Sequence, residues 1–379
     1  MHEEKNRTTQ PLRQGRVFAS WDVVPRGWYV AIASSSLAKG QVTSVTLCGQ
    51  RVALFRGEDG KVRALDAFCA HMGTDLGIGK VHGNTVACFF HHWRYDESGA
   101  CIDIPCQKGD RKIPPHARVR PYATEERYGY VWVYPEAEAP YGVFEFPELE
   151  GQEVVFSHEP ARESSCHHHV AMINGIDAQH LATVHGLDFA ATVSVAERPE
   201  RHEMDFVVTC TISDKTLVGR VFRFFLGDSY AYGMRYANAC AGALTTMKGV
   251  RLFGGKRLLP TLHMIWAYTP IARDLVRTYP IFVAKKRAGV VGAFVSRFLM
   301  WMQKRGYYAL RSEDSKIYDN IRFSPNALLP IDEPLGKYLA YTNALEASAW
   351  STTEAVRVRL PTVRVVADGD GPPEANRGP

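Results

Sequence analysis

From Trp28 to Tyr134 short β-type runs follow one another: WYVAIAS, VTSVTLC, VALFRG, KVRALDAF, TVACFF and YGYVWVYP. Glycine-bearing breaks separate them, which is the pattern of a small antiparallel β domain. Gly57-Glu58-Asp59-Gly60 sits between two such runs, where a tight hairpin turn belongs. Pro135 to Glu150 is rich in Pro, Glu and Gly and reads as a connector. Beyond Val154 come further strand-like runs, DFVVTCTI, GRVFRFFL, LHMIWAYTP and TYPIFVAK. Helical stretches interrupt them around Asn174 to His185 and Gly306 to Asn320, so the second half is expected to be an antiparallel sheet backed by helices.

The fold class is therefore α+β. The expected division is a tail over residues 1–24, a β domain over 25–140, an α+β domain over 141–355, and a second tail over 356–379 whose end, DGDGPPEANRGP, has the composition of a disordered segment. Two domains of ordinary size fit the 379 residues.

Apolar content of 46% and charged content of 22% are those of a globular protein. The net charge of +5 is mild, and no concentrated Lys/Arg block points to nucleic acid. The start, MHEEKNRTTQPLRQGR, carries acids before any apolar run and does not read as a secretory signal, so a cytoplasmic location is expected. Ala288 to Met302, AGVVGAFVSRFLMWM, is shorter than the roughly 20 residues a span needs, and Arg297 interrupts it. It reads as a buried helix or a lid over an apolar pocket rather than a membrane contact. The flanking Lys285, Lys286, Arg287, Lys304 and Arg305 are the one feature favouring peripheral attachment.

Eight cysteines in such a chain argue for metal ligation plus scattered core thiols rather than a disulfide framework. Two have histidine neighbours: Cys69-Ala70-His71, then, after sixteen residues, Cys88-Phe89-Phe90-His91. Two thiolates and two imidazoles delivered by two short loops suit an asymmetric diiron cluster, with thiolates on one iron and neutral imidazoles on the other. Zinc is the competing metal. A Cys2His2 finger, however, uses one Cys-Cys loop and one His-His helix, whereas each loop here supplies one of each. Cys101 and Cys106 lack histidine partners and read as structural thiols.

Cys-x-His followed by Cys-x-x-His, with His71-Met72-Gly73 and His92-Trp93-Arg94-Tyr95-Asp96 around it, resembles the Rieske non-haem iron oxygenases, oxygenase (α) component. Two departures stand out. Ala70 and Phe89 replace the prolines that often follow the ligand cysteines, and His92 stands where a glycine is usual. The resemblance implies a [2Fe-2S] cluster on Cys69, His71, Cys88 and His91. Within the family, HHWRYDESGAC and ERYGYVWVY are most similar to aminopyrrolnitrin oxygenase, and more distantly to ketosteroid hydroxylase oxygenase components and prodiginine oxidative cyclases.

In INGIDAQHLATVH, Asp177 precedes His180 by three residues and shares a helix face with it, and His185 follows five later. The two imidazoles converge if the helix is distorted or stops near His185, where Gly186 offers a stop. Two histidines and a carboxylate form the facial triad of a mononuclear Fe(II) with open sites. Asn-x-x-Asp-x-x-His-x4-His resembles the family's iron motif at Asn174, Asp177, His180 and His185, with Ile173 where a glutamate is common. The resemblance implies that Asp177 links His180 to His91 of a neighbouring copy in a homotrimer. Ser312-Glu313-Asp314-Ser315-Lys316-Ile317-Tyr318 resembles the late acidic helix that supplies the third ligand; Asp314 is chosen on that match, with Glu313 and Asp319 as alternatives. A capping role at a helix N-terminus is the competing reading of Asp177.

His167, His168 and His169 follow Cys166 without a carboxylate. On a strand, His167 and His169 would share a face, and one of the three could line the substrate pocket. No dinucleotide or flavin fingerprint is evident, so an external ferredoxin or NAD(P)H-dependent reductase must supply electrons. The expected activity is O2-dependent oxidation of a bulky apolar or aromatic small molecule in secondary metabolism, by hydroxylation or arylamine N-oxygenation. Oxidative cyclisation or desaturation with the same iron centres is the alternative, followed by a non-catalytic electron carrier.

Overall fold

The computed structural model describes residues 18, 20–107, 112–184, 189–198, 203–212, 220, 223–224, 229–237, 240–246, 251–252, 256–257, 261–323 and 327–352. Among the described residues the first half holds eleven strands: β1 (Tyr29–Ala33), β2 (Val42–Leu47), β3 (Gln50–Arg56), β4 (Val62–Asp66), β5 (Lys80–His82), β6 (Thr85–Ala87), β7 (Arg94–Tyr95), β8 (Cys101–Asp103), β9 (Pro121–Tyr122), β10 (Thr124–Arg127) and β11 (Tyr130–Val133). They form three sheets, ordered β1-β11-β10, β2-β3-β4-β9 and β5-β6-β7-β8, with every pairing antiparallel. The expected hairpin at Gly57 to Gly60 joins β3 to β4, with Arg56 opposite Val62. TVACFF is a strand only as far as Ala87, because Cys88 opens a tight loop.

The second half adds β12 (Val154–His158), β13 (Arg162–Ser164), β14 (Phe189–Arg198), β15 (Glu203–Ile212), β16 (Ser229–Ala237), β17 (Ala241–Thr246), the small pair β18 (Arg251–Leu252) and β19 (Lys256–Arg257), β20 (His263–Ala272) and β21 (Leu275–Lys285). One sheet runs β12-β21-β20-β17-β16-β15-β14, with β13 also paired to β21. The helices whose bounds are described include α1 (His168–Met172), α2 (Ala178–Thr183), α3 (Gly289–Tyr318) and α4 (Glu333–Ala344). Of GRVFRFFL, expected as a strand, only Arg220, Arg223 and Phe224 are described, and these are helical.

The halves share a core. Trp28, Trp132 and Tyr134 pack with Phe144 and Phe146 against Ile265, Ile281 and Val283 of the large sheet. The Pro135 to Glu150 connector is thus an irregular segment that inserts its aromatics into the interior rather than a solvated linker. Residues from the expected N-terminal tail pack too: Phe18, Val23 and Val24 are buried, with Phe18 against His169, Phe323 and Tyr338.

Two helical expectations need correction. Asn174 to His185 is not one helix: a 3-10 turn over Ile173–Ile176 ends at Asp177, whose extended backbone caps a new helix, α2. And α3 is a single helix of 30 residues running straight through Gly306. At 1.5 Å per residue it is about 45 Å long. Its first half is not a buried helix. Ser296, Leu299 and Met300 face the sheet and are buried, while Val290, Val291, Phe294, Phe298 and Trp301 are exposed. No helix among the described residues is long and apolar enough to cross a membrane.

Candidate metal centres

The two Cys-His loops are variations on one turn. After β4, the Gly73 N–H donates to the Cys69 carbonyl (2.9 Å), with Gly73 at φ +77°. After β6, the His92 N–H donates to the Cys88 carbonyl (3.0 Å), with His92 at φ +58°. Each turn reverses through a left-handed residue, a conformation cheap for glycine and costly for histidine. His92 therefore occupies a true glycine position, held there by the pairing of β6 with β7, Ala87 opposite Arg94.

The turns bring the four sequence-predicted ligands together as two pairs. Cys69 and Cys88 are buried, each within reach of the other, in a core made by Phe55, Leu65, Leu76, Val86 and Val119. His71 and His91 lie further out, with their Nδ1 atoms 3.1 Å apart. That is about the spacing of two nitrogens on one metal roughly 2 Å from each. Trp93 stacks on His71 with ring centroids 4.5 Å apart and planes 5° from parallel, which fixes the imidazole. Among the described residues, no three His, Cys, Asp or Glu side chains converge on one point. One thiol pair beneath one imidazole pair is the layout for two irons, not for a single tetrahedral zinc. The residues fit a [2Fe-2S] cluster.

Tyr95 belongs to this site and was not singled out in the sequence. Its buried hydroxyl accepts from the Ala70 N–H (3.1 Å) and lies 3.0 Å from Cys69 Sγ, so its own proton is directed at the sulfur. Burial pushes the Cys69 thiol up, and the Tyr95 hydroxyl and the His71 N–H pull it back. Cys101, buried near Asp103, and the exposed Cys106 are free thiols.

The second site lies where α2 meets the last turns of α3. Asp177 accepts from the Gln179 N–H (2.9 Å) and the His180 N–H (3.2 Å) through Oδ1, satisfying two donors that α2 would otherwise leave open. The structure therefore gives Asp177 the capping position rather than one on a shared helix face. His180 Nδ1 lies 3.0 Å from the Asp177 carbonyl, which can only accept, so the proton is on Nδ1 and the Nε2 lone pair is left for a ligand. Nε2 points at Asp314 Oδ1 across 3.8 Å, both side chains being nearly buried. That is too long for a good hydrogen bond and suits two donors facing a common point. Asp319 is elsewhere, exposed at the end of α3 with Oδ1 3.5 Å from the Ser165 N–H. His185 and the Glu313 side chain lie outside the described residues.

Other residues hold this geometry, and of these the sequence pattern singled out only Asn174. Asn174 donates to the Tyr318 hydroxyl (2.9 Å), tying the 3-10 turn to α3 one turn beyond Asp314. Gln179 donates to buried Asp332 (2.7 Å), anchoring α2 ahead of α4. Tyr232 and Tyr236 of β16 donate to the Gly175 and Met172 carbonyls. A Cβ on Gly175 would lie 2.6 Å from the terminal methyl of Met234, so a larger residue here requires that side chain to shift. Tyr318 was legible only as the i+4 neighbour of Asp314.

His167, His168 and His169 are on no strand. His167 caps α1 and the other two begin it, with neighbouring rings 4.4 and 4.0 Å apart. His167 Nε2 donates to the Ser20 carbonyl (2.9 Å), and His169 Nδ1 meets the Tyr338 hydroxyl (2.7 Å). His167 and His168 line a cavity of about 220 Å³ with Trp21 and Arg273.

Residues 27–122 match the Rieske [2Fe-2S] domain. Cholesterol 7-desaturase nvd of Hemicentrotus pulcherrimus is 36% identical over 170 residues, which is 43% of this chain and 36% of that protein. Aminopyrrolnitrin oxygenase PrnD of Pseudomonas fluorescens is 36% identical over 172 residues, 43% of this chain and 47% of that protein. The chain thus spans less than half the length of these relatives. The solved structure of Pseudomonas putida CBB5 NdmB shares the fold, with a TM-score of 0.62 at 18% identity, covering 87% of this chain and 93% of that one. Residues 27–122 thus form a Rieske [2Fe-2S] domain, in a chain that is similar over part of its length to a cholesterol desaturase and an aminopyrrolnitrin oxygenase and that shares the fold of NdmB.

Proposed function

We propose that the chain is the oxygenase component of a Rieske-type monooxygenase that oxidises a bulky apolar or aromatic small molecule, by hydroxylation or arylamine N-oxygenation, in the cytoplasm. The observation that carries this reading is the approach of His180 Nε2 to Asp314 Oδ1, 3.8 Å apart, behind a Cys-His loop pair built for a cluster. Cys69 and Cys88 would hold one iron of the [2Fe-2S] cluster and His71 and His91 the other; His180, His185 and Asp314 would hold a mononuclear iron. When bound, the cluster supplies one-electron transfer and the mononuclear iron supplies a site for O2.

The chain's own residues do the positioning. Asp177 fixes α2 through its carboxylate and fixes the His180 tautomer through its carbonyl. Asn174 and Tyr318 hold α3 against the motif so that Asp314 stays aimed at His180. Asp177 stands half-buried at the start of α2 and is the residue we assign to link His180 to His91 of a neighbouring copy in a homotrimer. An external ferredoxin or NAD(P)H-dependent reductase would deliver electrons at the solvent side of the cluster, where His71 is exposed. Residues 25–140 would carry the cluster and 141–355 the catalytic iron.

A second reading rests on the similarity to cholesterol 7-desaturase: the same centres would remove hydrogen without leaving oxygen in the product. Product mass under labelled O2 separates the two. The test of the common core is His180→Ala, which should abolish turnover of candidate aromatic amines and polycyclic compounds while leaving the cluster's absorption spectrum intact. Persistent turnover overturns the assignment.

A further inference from the structure

The first half of α3 presents an apolar strip that no other described residue covers. Val290 is 88% exposed, Val291 78%, Phe294 68%, Trp301 52% and Phe298 43%. They recur at three- and four-residue steps on the side opposite buried Ser296, Leu299 and Met300. The aromatics are stacked along the helix, Phe294 on Phe298 at 6.4 Å and Phe298 on Trp301 at 5.9 Å. A large rigid apolar surface in water is a cost that an interaction normally justifies.

Charge selects what covers it. From Lys285 to Arg305 there are six basic residues, Lys285, Lys286, Arg287, Arg297, Lys304 and Arg305, and no Asp or Glu. Glu153 and Glu159, just outside the two ends of β12, pair with Lys286 and Lys304. A surplus of positive charge remains at both ends of the strip and, at Arg297, in its middle. Arg305 lies over the Trp301 ring at 5.4 Å. A two-fold contact of this face with itself would set these cations against each other, which disfavours that one arrangement of a second copy. Crossing a membrane is ruled out by Arg297 and by the packing of the opposite face on the sheet. Aromatic side chains flanked by Lys and Arg suit the boundary between anionic headgroups and acyl chains.

We propose that this face of α3 docks the protein on an anionic membrane surface, with Phe294, Phe298 and Trp301 entering the interface and Lys285, Arg297 and Arg305 meeting lipid phosphates. Trp301 is thirteen residues from Asp314 on one continuous helix, so the docked face would lie roughly 20 Å from the second metal site. Docking itself does not depend on which reaction that site performs.

The test is co-sedimentation of the full, cluster-loaded chain with vesicles of phosphatidylcholine mixed with phosphatidylglycerol, against phosphatidylcholine alone. The expected result is binding to the mixed vesicles, weakened by salt, and reduced roughly tenfold or more in Phe294→Ser/Trp301→Ser. Both positions are exposed, so this variant should keep the cluster's absorption spectrum. Arg297→Glu/Arg305→Glu should remove the preference for phosphatidylglycerol. Failure of the parent chain to bind anionic vesicles overturns the proposal, as does undiminished binding by the double serine variant. A fall in oligomeric mass in that variant, without vesicle binding by the parent, would show instead that a second copy covers the face.

Discussion

Asn174 donates its side-chain amide to the Tyr318 hydroxyl across 2.9 Å, and with that bond the turn leading to His180 is fixed to the helix carrying Asp314. Burial, reinforced by the nearby Asp314 carboxylate, keeps the Tyr318 phenol well above its usual range, so it stays a neutral hydroxyl. Tyr318→Phe removes one buried bond, worth about 1 kcal/mol, and leaves the Asn174 amide short of an acceptor. We expect iron beyond that of the cluster to fall and turnover to drop, with the cluster spectrum unchanged. Iron content per chain and turnover check this; normal values for both would reduce the bond to packing.

Tyr95 aims its hydroxyl at Cys69 Sγ. A hydrogen bond to a ligand sulfur favours the more negative, reduced cluster and so raises the potential. Tyr95→Phe should lower it by tens of millivolts, on the order of a fraction of the 59 mV that equals a tenfold change for one electron. A redox titration followed by circular dichroism reads the shift, and an unchanged potential would mean that the hydroxyl serves only the Ala70 N–H.

The paired turns make opposite predictions at equivalent places. His92 at φ +58° carries strain that glycine lacks, so His92→Gly should stabilise the fold, by about 0.5–1 kcal/mol after the entropy glycine adds to the unfolded chain. Gly73→Ala at φ +77° should destabilise it by about 1–2 kcal/mol. Denaturant titration of the two variants side by side checks both signs.

Acid should weaken the packing around α1. Burial holds the His167 imidazole down to about 4, against an ordinary value of 6.5. The unfolded chain takes up that proton near 6.5, whereas the folded chain resists it until about 4. The stability from this residue is therefore complete above 6.5 and declines as pH falls between the two values. His169, also buried and held well below its usual range, acts in the same direction. Urea midpoints between pH 7.5 and 4.5 should show this decline, and His167→Gln should flatten it by about one proton.

The sequence alone determined the chemistry of the cluster, because its ligands sit on two loops short enough for spacing to specify them. It also determined most strands of the first half and the long strands of the sheet, whose apolar runs end at glycine, proline or charge. It could not show that α3 is one helix with an exposed apolar side. A run apolar on all faces, such as AGVVGAFVSRFLMWM, carries no periodicity to say which side is covered. Nor could it break the helix at Asp177, since an aspartate serves equally inside a motif and as a cap, and only the approach of the 3-10 turn to Tyr232 and Tyr236 decides between them.

His180 and Asp314 are more than a hundred residues apart, and no local pattern relates them. Their meeting depends on the full length of α3 crossing the sheet and on the bonds from Asn174 to Tyr318 and Gln179 to Asp332. Local spacing chose the cysteine and histidine candidates and a motif match chose Asp314, and tertiary packing decided which of them face each other.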